Sequence, residues 1–233
     1  MSFTFKQFHI EHDRCGMPVS TDGVMLGAWA KLPDNGHVAD IGTGSGLLAL
    51  MAAQRSNCAI TAIEIDRDAA LQATENFAAS AWQHRINLYH GPIQQWQGQV
   101  DAIICNPPYF TNGARSDKSQ GRATARHHDQ LSHQQLLEQC ARLLSPTGYA
   151  NVILPQAEAQ QLITSLPLFG LHLQRQLLVH TTAKKPVQRQ LLTFGKQRCE
   201  CDQQTLVIHQ HGGYSEQFRV LTDNFYLHLG SNH

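Results

Sequence analysis

Short apolar runs alternate with leucine- and alanine-rich amphipathic stretches through most of the chain. Residues 37–41 form an apolar run that ends in a glycine cluster, and residues 45–55 have helical Leu/Ala spacing. Residues 59–65 predict a second strand, 67–81 a helix, 85–89 a third strand and 100–105 a fourth. The fourth is continuously apolar, as for a strand buried on both faces. Residues 132–144 predict a helix capped by Ser132 and stopped at Pro146 and Gly148; 149–154 read as a fifth strand, and Pro155 starts another helix. Strands alternating with helices predict an α/β fold with a mostly parallel sheet covered on both faces. Upstream, Phe3, Phe5, Phe8 and Ile10 alternate in two short registers and read as an N-terminal strand, with Cys15-Gly16 as a turn and residues 23–31 as a short amphipathic helix. Downstream, residues 171–180 and 187–194 read as a hairpin at one sheet edge. Phe218, Leu221, Phe225 and Leu229 fall at helical spacing, so an amphipathic helix over 214–229 is expected to end the chain. No repeat or long linker interrupts the pattern, and a single domain over 1–233 is the simplest organisation.

Composition narrows the function classes. Eighteen Lys and Arg balance eighteen Asp and Glu, which argues against nucleic-acid binding through overall charge but leaves room for a local basic patch. No apolar run reaches the length of a membrane span, and residues 1–11 alternate instead of forming an apolar block, so no membrane association or secretory signal is expected. The six cysteines (Cys15, Cys58, Cys105, Cys140, Cys199 and Cys201) include no CxxC pair. They read as reduced thiols of a cytoplasmic protein, with no metal site. The oligomeric state is left open, a monomer being compatible with the sequence.

Three groups of residues carry chemistry. Asp40-Ile41-Gly42-Thr43-Gly44-Ser45-Gly46 follows a strand and opens a helix, where glycines permit a tight turn and close approach of a nucleotide-like ligand. The spacing is neither GxGxxG nor a P-loop. Glu64 lies at the end of the next strand, where a carboxylate can accept from ribose hydroxyls, while Asp66 reads as a helix N-cap. Asn106-Pro107-Pro108-Tyr109 ends the fourth strand on the same rim. Its prolines stiffen the turn and remove two donors, leaving the Asn106 amide oxygen and the Pro107 carbonyl as acceptors for one planar amino group, with Tyr109 placed to stack on a flipped base. Beyond it, Arg115, Lys118, Arg122, Arg126, His127 and His128 form a stretch suited to phosphates, with Phe110 a further substrate-contact candidate. Lys184 and Lys185 are a weaker addition to it.

These motifs resemble those of amino-methylating class I S-adenosylmethionine-dependent methyltransferases. More narrowly, the chain resembles the bacterial tRNA1(Val) (adenine-37-N6)-methyltransferase family, through the segment that starts at Met17-Pro18-Val19-Ser20-Thr21-Asp22-Gly23, the two motifs above, and Tyr214-Ser215 with Glu216, Phe218, Leu221 and Asn224-Phe225-Tyr226-Leu227. The resemblance implies a Rossmann-like, seven-stranded, mostly parallel sheet with one antiparallel strand. It implies S-adenosyl-L-methionine as cofactor, with Gly42, Gly44 and Gly46 lining the methionine end, Glu64 on the ribose, and Asp40 and Thr43 as further cofactor-binding residues. It also implies that residues 1–36 cap the cofactor, with Thr21 and Asp22 near it; a helix N-cap at Asp22 is the competing role. Where many relatives carry an acid toward the cofactor's adenine, this chain reads Gly91-Pro92-Ile93-Gln94. The implied partner is tRNA, and the implied reaction is methylation of N6 of adenine 37. Alternatives are glutamine N5-methylation of a protein, methylation of another rRNA or DNA amino group, and a non-catalytic cofactor-binding scaffold.

Overall fold

The computed structural model describes residues 1–107 and 131–227. The strands are β1 (Ser2–Thr4), β2 (His9–Glu11), β3 (His37–Ile41), β4 (Ala59–Glu64), β5 (Ile86–His90), β6 (Val100–Cys105), β7 (Leu144–Pro155), β8 (His172–Thr182), β9 (Val187–Gly195), β10 (Asp202–Gln210) and β11 (Gly213–Tyr214). The α-helices are α1 (Thr21–Trp29), α2 (Leu47–Arg55), α3 (Arg67–Ala78), α4 (His133–Leu143), α5 (Gln156–Ser165) and α6 (Glu216–Thr222). One sheet runs in the order β11-β10-β8-β9-β7-β6-β3-β4-β5. Its apolar faces pack two cores: α1, α2, α3 and α6 cover one, and α4 and α5 the other. This is a Rossmann-like α/β fold.

The seven-stranded expectation is corrected to nine in this sheet. β10 adds in parallel to β8, and β11 folds back on β10, so the hairpin of β8 and β9 does not form the edge. Two strands, β9 and β11, run antiparallel to their neighbours instead of one. The N-terminal alternation forms two strands, a β1–β2 hairpin that pairs Phe3 with Ile10, because the change of register between Phe5 and Phe8 is a turn. The terminal helix is shorter than expected. It stops at Thr222, and Phe225 and Tyr226 leave it to pack beside Phe5, with Tyr226 bridging to it.

The expected amphipathic helix near the N-terminus is α1, and it is covered on most sides. Val24, Met25, Leu26 and Trp29 are buried, and Gly27 lets it lie directly on Met51 of α2, where a Cβ would collide with the thioether. Asn151 fixes its exit. This fully buried side chain accepts from Lys31 N at 3.0 Å and donates to Lys31 O at 3.0 Å and Ile103 O at 3.2 Å, with Thr193 Oγ1 donating to it at 2.9 Å. A buried amide with all its bonds made ties the end of α1 to the middle of the sheet.

No described helix is long and apolar enough to cross a membrane. Among the described residues no three His, Cys, Asp or Glu side chains cluster as metal ligands, and all six cysteines are free thiols.

Candidate active site

Strand register brings the three motifs together. Ile41 lies opposite Cys105 of β6 on one side and Ile63 of β4 on the other. The residues that follow, Gly42, Asn106 and Glu64, therefore stand side by side at the carboxyl ends of three adjacent parallel strands, where open α/β sheets bind ligands.

The glycine loop is tight. Gly42 N and Thr43 N both donate to Ile63 O, at 2.9 and 3.1 Å, and Gly46 N donates to Thr43 O at 2.9 Å. Gly42 and Gly44 have φ of 70° and 55°, and a Cβ on either would enter open space. Those two glycines thus leave their backbone facing open space. Gly46, with φ of 87°, also packs tightly: a Cβ there would run into the Phe77 ring.

Asp40 braces this loop from below. It is fully buried; its Oδ2 accepts from Thr43 Oγ1 at 2.5 Å and Ala49 N at 3.0 Å, and its Oδ1 has no partner. Burial pushes its pKa up to about 7, against the smaller opposing effect of those bonds. The folded state thus holds a proton that the unfolded chain has already released, so this residue's contribution to stability falls as pH rises from about 4 to about 7 and is constant above. Asp40→Asn removes that loss, because an amide keeps the two acceptor bonds without a buried charge. The variant is expected to melt higher than wild type at pH 8, with the difference closing by pH 4, in thermal unfolding followed by circular dichroism.

Glu64 accepts from Gly44 N at 2.8 Å through Oε2, and from Ile65 N and Asp66 N, both at 2.9 Å, through Oε1. A carboxylate has about four lone-pair sites, so one on Oε2 remains for a ligand hydroxyl. Asp66 caps α3, as its position implied. On the neighbouring rim Gly91 N donates to Glu64 O at 2.8 Å, Ile93 is buried and Gln94 is exposed.

Asn106 is the most telling residue. Its Nδ2 donates to Met17 Sδ at 4.0 Å, which turns the amide so that Oδ1 points the other way; that oxygen is buried and has no hydrogen-bond partner. An orphaned buried acceptor is costly unless something else donates to it. Pro107 is buried directly behind it. Pro108, Tyr109, Phe110, Arg115, Lys118, Arg122, Arg126, His127 and His128 lie outside the described residues.

A strap from the N-terminal extension crosses the three strand ends. Cys15 lies near Glu64 and Asp66, its thiol pushed up to about 11, first by burial and then by those carboxylates. Met17 reaches Asn106, and Gly23 packs so closely that a Cβ would lie 3.0 Å from Leu47 Cδ2 and 3.9 Å from Asn106 Nδ2. Two residues of α3 that the sequence reading passed over anchor this extension. Asn76 accepts from Glu11 N and donates to Glu11 O and Ser45 O, joining the hairpin to the glycine loop, and Gln72 bonds Arg14 N and Asp13. Their signal was two long polar side chains on the stripe shared with Ala69, Ala73 and Phe77.

Thr21 and Asp22 point to other partners. Thr21 lies beside Tyr226, and Asp22 pairs with Arg189 Nε of β9 at 2.8 Å. The N-cap role expected of Asp22 belongs to Ser20, whose Oγ accepts from Gly23 N at 3.2 Å, because the helix starts two residues earlier.

The cradle fits a cationic amino-acid nucleoside such as S-adenosylmethionine. A partnerless carboxylate oxygen lies beneath a loop whose glycines face open space, and a strand-end carboxylate beside it keeps a free lone pair.

Comparison with known proteins follows the same line. Residues 24–164 match the family described as methyltransferase small domain. A tRNA1(Val) (adenine(37)-N6)-methyltransferase of Photobacterium profundum is 50% identical over 97% of this chain and 98% of its own length. One of the same description from Vibrio campbellii is 48% identical over 97% of this chain and 96% of its own. Among solved structures, a predicted O-methyltransferase from Agrobacterium tumefaciens superposes with a TM-score of 0.64 at 17% identity, over 88% of this chain and 96% of that one, which shows a shared fold.

Proposed function

This chain belongs to the tRNA1(Val) (adenine(37)-N6)-methyltransferase family, and from that membership we propose how its residues act. The enzyme uses S-adenosylmethionine to methylate N6 of adenine 37 in tRNA1(Val). When bound, the cofactor supplies an electrophilic methyl group on its sulfonium.

The residues divide the work. Gly42, Thr43 and Gly44 form the backbone cradle for the cofactor's methionine end, with Asp40 Oδ1 below to meet its ammonium; Gly46 shapes the loop through its packing on Phe77. Glu64 takes a ribose hydroxyl on Oε2. The strap of residues 12–20 and α1 closes over the cofactor, so residues 1–36 serve as a cap on one domain spanning 1–233. The role of Thr21 and Asp22 in that cap is indirect: through Tyr226 and Arg189 they hold the N-terminus of α1 in place.

Asn106 Oδ1 and the Pro107 carbonyl accept the two N–H groups of the target amine. The lone pair of an aryl amine is delocalised into its ring, so two acceptors on its hydrogens draw the nitrogen toward a tetrahedral shape and aim the lone pair. The nitrogen gains the methyl group as the S–C bond breaks and the bonding pair stays on sulfur as a neutral thioether; the methylated nitrogen, then cationic, sheds a proton to solvent, so no side chain need act as base. Tyr109 and Phe110 stack on the extruded adenine, and Arg115, Lys118, Arg122 and Arg126 meet RNA phosphates beside it. A single copy working in the cytoplasm on its tRNA is the proposed acting unit.

The partnerless buried oxygen of Asn106 carries this reading, because it is an acceptor awaiting a donor at the strand end beside the cofactor cradle. The test is nucleoside mass spectrometry of tRNA1(Val) after incubation with enzyme and labelled S-adenosylmethionine. N6-methyladenosine at position 37 is expected. Label found only on protein, or on another nucleoside, would overturn the reading.

A further inference from the structure

Charge is unevenly spread over a chain whose formal net charge is zero. Between Glu158 and Glu200 lie Arg175, Lys184, Lys185, Arg189, Lys196 and Arg198, with no acidic residue among them. Four of these cations are committed within the fold. Arg175 lies over the Trp29 ring, Arg189 pairs with Asp22, Lys196 donates to Leu144 O, and Arg198 donates to His172. Lys184 and Lys185 are exposed and make no such contact. Among the described residues, Arg67 is the one other Lys or Arg in that condition.

All three stand on one rim of the sheet. Arg67 opens α3 just past the end of β4, and the two lysines occupy the turn past the end of β8, which runs parallel to β6 and β7. From β4 to β8 the order crosses five strand spacings, about 24 Å, and Asn106 lies between them. The cations left without an intramolecular partner thus flank the amine clamp.

The lysine turn is a defined structure. Lys185 N donates to Thr182 O at 3.0 Å, His180 Nδ1 donates to Lys185 O at 2.8 Å, and Pro186 follows. Beside it, His209 of β10 is in register with both Thr182 and Tyr214. An aromatic stack runs outward from here: buried Phe218, then half-buried Tyr214 with ring centroids 4.7 Å apart, then exposed His209 a further 5.0 Å on, each pair within 20° of parallel.

We infer that the turn between β8 and β9 and the His209 end of this stack form a second tRNA-binding ledge. Lys184 and Lys185 hold backbone phosphates of the anticodon arm, and His209 offers its ring to an unpaired base. Phosphate contacts of this kind fix the position of an RNA without reading its sequence, and an exposed aromatic ring stacks on any base. The ledge deepens the tRNA reading above and rests on it. It would hold the anticodon arm while the clamp takes the one extruded adenine.

The test uses full-length enzyme, S-adenosylmethionine and a tRNA1(Val) substrate that the wild type methylates. Lys184→Ala/Lys185→Ala is expected to raise KM for tRNA about tenfold, keep kcat within about twofold, leave cofactor affinity unchanged, and flatten the slope of log(1/KM) against log salt by about 1.5, since two phosphate contacts no longer release counterions. Lys184→Glu/Lys185→Glu raises KM further. His209→Ala raises KM about fivefold with the salt slope unchanged. Wild-type KM and salt slope in both lysine variants, or a loss confined to kcat, would overturn the ledge while leaving the reaction intact; a wild-type KM in His209→Ala would remove its stacking half. Failure of the wild type to methylate tRNA would instead overturn the functional reading itself.

Discussion

Asn106→Ala is expected to lower kcat about 10²- to 10³-fold while cofactor affinity stays within about threefold of wild type. The loss has the size seen when one preorganised polar group is removed from a reacting centre. It falls on turnover because Oδ1 has no partner within the fold and its Nδ2 touches the strap only through Met17, so deletion leaves little else unmade. Asn106→Asp separates positioning from rigidity: it keeps an acceptor oxygen but loses the N–H that Met17 orients, so it should retain measurable activity where Ala does not. Rapid-quench turnover under saturating tRNA, beside calorimetric titration of S-adenosylmethionine, gives both numbers. An Ala variant within tenfold of wild type would exclude the amine clamp.

Glu64→Ala is expected to weaken cofactor binding about 100-fold or more and to lower stability by about 2–4 kcal/mol. Its carboxylate accepts from three backbone amides, of Gly44, Ile65 and Asp66, and deletion strips all three at once. Two of these bonds shape the turn into α3 and one pins the glycine loop, so the effect on the cofactor exceeds one lost ribose contact. Glu64→Gln does not rescue fully. An amide accepts at one end only, and its NH₂ would face either Gly44 N–H or the Ile65 and Asp66 pair. Urea unfolding and calorimetry on both variants check this; cofactor affinity in Glu64→Ala close to wild type would contradict it.

The parts of this site that sequence exposed are those in which local pattern and tertiary role coincide. β3 and β6 occupy the predicted residues because each is a short apolar run with a motif fixed to its end, and parallel pairing then carries Gly42 and Asn106 to one rim. β10 was missed because it is held by pairing rather than burial: Leu206 is its one buried side chain, so no apolar alternation marks it. The terminal helix was over-read for the opposite reason. Phe225 keeps helical spacing with Phe218 and Leu221, yet the chain turns at Asp223-Asn224 and buries Phe225 from a different direction, beside the β1–β2 hairpin. Asn76 and Gln72 escape notice, and Met17 stands out only as the start of a family-like segment, because their partners lie far away in sequence. A polar position on a helix stripe, or a methionine in a loop, gives no local hint that it anchors a strap or turns an amide 89 residues on. The motif marks Gly46 as a cofactor-loop glycine, and only the Phe77 ring beside it reveals that it also has a packing role.

The most direct test of the account is a crystal structure of the enzyme with S-adenosylhomocysteine and an anticodon stem-loop of tRNA1(Val). The account predicts adenine 37 outside its stack, with N6 within about 3.2 Å of Asn106 Oδ1 and on the side of the cofactor sulfur. An adenine bound with N6 away from Asn106, or an Asn106 oxygen engaged by the protein in that complex, would contradict it.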